Sequence, residues 1–247
     1  MRILVIGGTT DTDVFVLIHS PLVGPLTWSL VAEDLRRRGI EVVVPVLHDD
    51  DSSGVPYWRQ HAASAAQAVE SLPRDRALVL VGHSGAGPLL PAIGESCGRP
   101  IRTYLFVDAA LPLDGQSRLD DMEADDAEFA AQLHRHLASG GRFPDWSAED
   151  LRAVIPNDRL RRDMVAELHP RPLSFFEEHI LGFAAGPDAP CAYLRFSDPY
   201  AQAAMRARQA GWAYRALDAG HFHMLVDPAT VATTLLDLAR TRPATGH

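Results

Sequence analysis

The sequence predicts an α/β fold: a mostly parallel central sheet with helices on both faces, interrupted once by a helical insertion. Three observations lead there. Short apolar, β-branched runs alternate with amphipathic stretches of helical spacing, the mark of strand–helix–strand units. One such run, Ala77–Val81, ends on the small-residue turn Gly82-His83-Ser84-Gly85-Ala86 and passes straight into an apolar helical stretch. Between Asp114 and Pro187 the alternation stops, leaving helical patterns broken by Gly140-Gly141, Pro144, Pro156, Pro170 and Pro172.

The strand-like runs are Arg2–Ile6, Val14–His19, Ile40–Val46, Ala77–Val81, Ile101–Val107, Cys191–Phe196 and Trp212–Leu217. Helical stretches are predicted over 27–38, 57–71, 85–97, 199–210 and 228–240. Gly7-Gly8 does not read as a dinucleotide loop, because the next strand follows too soon for a helix to intervene; a hairpin turn is expected there. A structureless connection from 114 to 187 is implausible in a compact domain. Residues 1–113 and 188–247 are therefore assigned to the core and 114–187 to a helical cap, with Phe143, Trp146, Phe175, Phe176 and Phe183 as its apolar surface. The acidic segment Asp120–Asp126 reads as a solvated face or a helix start.

A chain of 247 residues can bury one large core. The formal net charge of −9 disfavours nucleic acid and anionic membranes as partners, and the expected partner is a small-molecule substrate. No cysteine–histidine array has zinc spacing, and no metal or other cofactor is expected. Cys97 and Cys191 read as reduced core thiols. The N-terminal apolar run is too short for a signal peptide or a membrane span, which predicts a cytoplasmic protein.

Ser84 is the candidate nucleophile, because a tight strand-to-helix turn pushes its hydroxyl out above the sheet. An activated serine needs a base, and the base needs an acceptor to orient it. His221, after Gly220 on the loop following the last strand, is the expected base; His223, two residues on, is its rival. Asp198, which follows the preceding strand, is the expected orienting acid; it also suits a helix start before Pro199, and Asp108 is the alternative acid. His83 reads as structural, His61 and Trp58 as packing or surface groups, and His48-Asp49-Asp50-Asp51 as a solvated loop. His134 and His136 stand two apart on a helix and so face different ways.

The order Ser84, Asp198, His221 and the insertion ahead of the acid strand resemble the α/β-hydrolase superfamily over nearly the whole chain. The stretches His19-Ser-Pro-Leu-Val-Gly-Pro-Leu-Thr-Trp28 and Phe106-Val-Asp-Ala-Ala-Leu-Pro-Leu-Asp-Gly-Gln-Ser117 look like the branch of small plant-type esterases and hydroxynitrile lyases. The resemblance implies a serine-dependent hydrolase cleaving an ester or related carbonyl of a small, largely apolar molecule. Its oxyanion donors would come from Gly85 and from a His-Gly-x stretch. Here that stretch reads His19-Ser20-Pro21, and Pro21 has no N–H. Leu22 N–H is the expected substitute, with the Ser20 or Thr27 hydroxyl as alternatives. Ser20, Pro21, Trp146 and Phe176 are the expected substrate contacts. The missing donor keeps open a lyase or cyclase of secondary metabolism using the same Ser–His pair, and a receptor-like binding protein.

Overall fold

In the computed structural model, residues 13–112 and 115–241 are described. The expected strand Arg2–Ile6 and the turn at Gly7-Gly8 lie outside them. Six parallel strands form the sheet: β1 (Val14–Ile18), β2 (Glu41–Val43), β3 (Leu78–His83), β4 (Ile101–Val107), and, after the insertion, β7 (Cys191–Arg195) and β8 (Ala213–Ala216). Their order is β2-β1-β3-β4-β7-β8. Helices α1 (Leu26–Arg37), α2 (Tyr57–Ala68), α3 (Leu90–Cys97), α8 (Ala201–Gln209) and α9 (Pro228–Arg240) connect them.

The period-2 alternation of strand side chains separates the core into two layers. Phe15, Leu17, Val79, Val81, Leu105 and Val107 face α1 and α9, while Val14, Val16, Ile18, Leu78, Leu80 and Phe106 face α2, α3 and α8. Burial on both faces is why these strands are unbroken apolar runs. Each fully buried aliphatic chain contributes about 1.5–3 kcal/mol. Among the described residues no helix is long and apolar enough to cross a membrane.

Residues 115–187 carry four helices, α4 (Arg118–Asp125), α5 (Ala127–Ala138), α6 (Asp158–Ala166) and α7 (Leu173–Phe176). They also carry a small antiparallel pair that the sequence pattern did not show, β5 (Gln116–Ser117) with β6 (His179–Ile180). Ser117 caps α4 and exchanges hydrogen bonds with Asp120, so the acidic segment is a helix start. Leu133, Leu137, Phe175 and Phe176 form a separate apolar cluster here, joined by Leu22 from the core.

The segment zips onto the loop between β1 and α1. His169 N–H donates to the Leu22 carbonyl at 2.9 Å. Glu167 Oε2 accepts from Leu26 N–H at 2.9 Å, at the N-terminus of α1 where negative charge is favoured. Arg171 donates twice to the Pro21 carbonyl, at 3.0 and 3.2 Å.

Candidate active site

In a parallel sheet the loops at the carboxyl ends of the strands gather on one rim. Here β1 delivers His19 and Ser20, β3 delivers Ser84, β4 delivers Asp108, β7 leads to Tyr200, and β8 leads to His221. Two non-glycine described residues have positive φ: Ser84 at 57° and Asp108 at 43°. Both follow neighbouring strands. Strained backbone of this kind costs on the order of 1–3 kcal/mol and persists where the surroundings impose it.

The turn at Ser84 is tight because Gly82 stands against Leu90: a Cβ on Gly82 would lie 3.0 Å from Leu90 Cδ2. Pro88 falls inside the following segment, so Ser84–Leu89 winds as a 3-10 turn and α3 begins at Leu90, later than the spacing predicts. Ser84 and Gly85 remain half-buried. Ser84 Oγ is hydrogen-bonded to the Tyr200 phenol at 3.0 Å, and no Ser84–His221 hydrogen bond is made among the described residues.

His221 Nδ1–H donates to Asp108 Oδ2 at 2.8 Å. That leaves Nε2 as the lone-pair nitrogen, the form a general base requires. Asp108 is wholly buried and accepts further from Phe196 N–H (2.8 Å), Ser197 N–H (2.9 Å) and Ser197 Oγ (2.6 Å). Burial alone would raise its carboxyl. The hydrogen bond and charge of His221 and the donors of Ser197 outweigh that and hold it below the usual range.

Asp198, the expected orienting acid, is not there. Its side chain is fully exposed and pairs with Arg195 at 3.1 Å. Asp198-Pro199-Tyr200 forms a short 3-10 turn. That turn sends the carboxylate outward and brings Tyr200 to the site, its ring parallel to His221 (centroids 5.0 Å apart, 9° between planes). The sequence does not single out Tyr200; a lone aromatic directly after an Asp-Pro carries no local signal. His223 lies in the 3-10 turn before α9, its ring against Phe196.

The expected oxyanion donors are rearranged too. Leu22 N–H donates to Ser20 Oγ at 3.3 Å and is therefore engaged. Thr27 is buried with its hydroxyl on the Gly24 carbonyl. Ser20 Oγ lies 3.1 Å from where a Gly85 Cβ would stand, so its hydroxyl faces the turn. Pro21 turns its carbonyl to Arg171. Phe176 is buried in the apolar cluster that includes Leu22, and Trp146 packs edge-on to Phe222, next to His221.

The aspartate run 49–51 is not simply solvated. The Asp49 side chain is 7% exposed, bound to Arg171 Nη1 at 2.6 Å and His61 Nε2 at 2.7 Å. Burial pushes the Asp49 carboxyl up, but hydrogen bonds from His61 and Arg171 outweigh it and bring it to about 2. His61, which the sequence left as a packing or surface group, is fully buried. Cys97 and Cys191 are free and buried. Among the described residues no group of three or more His, Cys, Asp or Glu is arranged to hold a metal ion.

Three buried histidines support the rim in neutral form. His19 Nδ1–H donates to the Ser20 carbonyl and its Nε2 accepts from Leu47 N–H; burial lowers it to about 4. His83 Nε2–H donates to the His221 carbonyl at 3.0 Å, and burial drives it well below its ordinary value. Burial lowers His61 as well. All three are depressed bases, so the unfolded chain takes up protons that the fold refuses. Stability is then full above pH 6.5 and falls as pH drops through that value toward 4. At about 1.4 kcal/mol per pKa unit, His19 alone accounts for roughly 3 kcal/mol at the acid end. Glu178 and Asp121, raised by burial, act in the opposite sense. Urea denaturation from pH 7 to pH 4 checks this, with a shallower slope expected for His19→Gln; equal slopes for the two proteins refute the assignment.

The profile of the alpha/beta hydrolase family matches residues 15–234. "Putative methylesterase 13, chloroplastic" of Arabidopsis thaliana is 25% identical over 180 residues, covering 67% of this chain and 40% of that protein. The chain thus spans well under half the length of the curated relatives it matches. Among solved structures, an extracellular alpha/beta-hydrolase from a Paenibacillus species superposes with a TM-score of 0.74 at 22% identity, over 92% of this chain and 99% of that one. Polyneuridine aldehyde esterase superposes with a TM-score of 0.70 at 17% identity, over 92% and 99%. At these identities the superpositions speak for the fold.

Proposed function

The chain belongs to the alpha/beta hydrolase family, and we propose that within it the chain is an esterase acting on small, largely apolar molecules through Ser84, His221 and Asp108. The observation that carries this reading is His221: its Nδ1–H is fixed on a buried carboxylate, so Nε2 is the free base on the rim that also holds Ser84 at a strained turn. Ser84 Oγ attacks the substrate carbonyl and its proton passes to His221 Nε2. Asp108 stabilises the imidazolium that forms. His221 then gives the proton to the departing alcohol, and water releases the acid by the same route.

The tetrahedral oxyanion needs donors. Gly85 N–H is one. Loss of a second costs about 3–4 kcal/mol in acyl transfer. The Ser20 hydroxyl, polarised by Leu22 N–H and facing Gly85, takes the place that Pro21 leaves empty. Residues 114–187 act as a cap, with Phe176 and Trp146 on the apolar side of the site.

A fluorophosphonate probe is expected to label the wild type and not Ser84→Ala, and p-nitrophenyl acetate turnover is expected to vanish in that variant. Turnover that survives Ser84→Ala overturns the reading. The missing N–H at Pro21 favours one second reading, elimination or ring closure by the same Ser–His pair, where no oxyanion forms. Labelling of Ser84 without any ester turnover is the result that reading predicts.

A further inference from the structure

We propose that Tyr200 is a catalytic residue whose phenol donates a hydrogen bond to the oxygen of the departing alcohol. The proposal rests on the reading of Ser84 as nucleophile. The Ser20 hydroxyl lies against Gly85, and these two are the oxyanion donors of the proposed reaction. The Tyr200 ring is parallel to that of His221, the group that protonates the departing alcohol, with centroids 5.0 Å apart. The Tyr200 hydroxyl is 3.0 Å from Ser84 Oγ, close to the carbon that Oγ attacks. In a tetrahedral centre the oxyanion goes to the Gly85 and Ser20 donors, and the leaving oxygen goes to His221 and so to the phenol stacked beside it.

The phenol is suited to donate. Burial pushes it above its ordinary value, and the carboxylates of Asp108, Asp121 and Asp125 add to this, outweighing the hydrogen bond to Ser84. It therefore keeps its proton at neutral pH. In acylation the Oγ–carbon bond forms, the bond from carbon to the alcohol oxygen breaks, and the Ser84 proton reaches that oxygen through His221. Tyr200 transfers nothing. It stabilises the negative charge that builds on the alcohol oxygen before the proton arrives, and hydrogen bonds to charged groups are the strong ones.

The loop after β7 thus supplies a group to the reacting atoms, but it is the phenol of Tyr200 and not the carboxylate of Asp198. Charge on an alkoxide is localised, whereas p-nitrophenolate spreads it over the ring. The contribution of Tyr200 must therefore grow with the basicity of the leaving group.

The test compares kcat/KM of wild type and Tyr200→Phe on the methyl and p-nitrophenyl esters of one short-chain acid. The expected loss on the methyl ester is about ten- to a hundredfold, at least tenfold greater than the loss on the p-nitrophenyl ester. Activity on the aryl ester reports that the variant is folded. Equal losses on both esters overturn the proposal in favour of an oxyanion or purely structural role. Unchanged or faster turnover of both overturns it in favour of a latch that merely covers Ser84. A wild type with no Ser84-dependent turnover of either ester overturns the nucleophile reading, and this proposal with it.

Discussion

Replacing Asp108 by asparagine is expected to lower kcat for ester hydrolysis by about 10⁴-fold, the scale seen when a buried triad carboxylate becomes an amide. The cause is the tautomer of His221. Asp108 already faces the N–H groups of Phe196 and Ser197, so an asparagine there keeps its oxygen on those donors and turns its NH₂ toward His221. The imidazole must then accept at Nδ1 and carry its proton on Nε2, the nitrogen that should take the proton of Ser84. Asp198→Asn, which alters only a solvent-exposed carboxylate, is expected to leave kcat within about twofold. Steady-state kinetics of the two variants decide the matter: comparable rates for both would remove Asp108 from the mechanism.

The second large effect concerns stability. Arg171→Met is expected to cost about 3–5 kcal/mol, the range for breaking one half of a buried ion pair. Its guanidinium is buried, bound to Asp49 and to the Pro21 carbonyl. Without it, Asp49 keeps only His61 among the described residues, and the Pro21 carbonyl loses both of these donors. Guanidinium chloride unfolding at pH 7 measures the loss, and a change under about 1 kcal/mol would show that water replaces the contact. Asp49→Asn in the Arg171→Met background is expected to recover part of the loss, because it removes the uncompensated charge.

How much of this was legible in the sequence follows from where the information lies. The strands were legible because a sheet covered on both faces demands continuous apolar runs, as in Val14–Ile18 and Leu78–Val81. The turn at Ser84 was legible because its steric demand falls on near neighbours, Gly82 above all. The acid was not settled. Asp198 carried the stronger local signature, an aspartate before proline after the right strand, but such a signature describes how a turn begins and not which way its side chains point. Asp108 owes its place to donors 88 and 89 positions away at Phe196 and Ser197, a relation no local pattern records. Asp49 follows the same rule: a run of three aspartates reads as solvated, whereas the partner that meets it in the interior, Arg171, stands 122 positions on. Tyr200 reaches Ser84 across 116 positions.

The hydrogen bonds joining residues 167–171 to residues 21–26 bear on how this scaffold can be rebuilt. An exchanged segment lacking the guanidinium of Arg171 and the carboxylate of Glu167 would lose the bonds that fasten it to residues 21–26. Those residues include Pro21, the neighbour of Ser20, so a chimera that exchanges residues 115–187 alone would also shift the hydroxyl facing Gly85. Transplants that carry both stretches together are the ones expected to keep their chemistry.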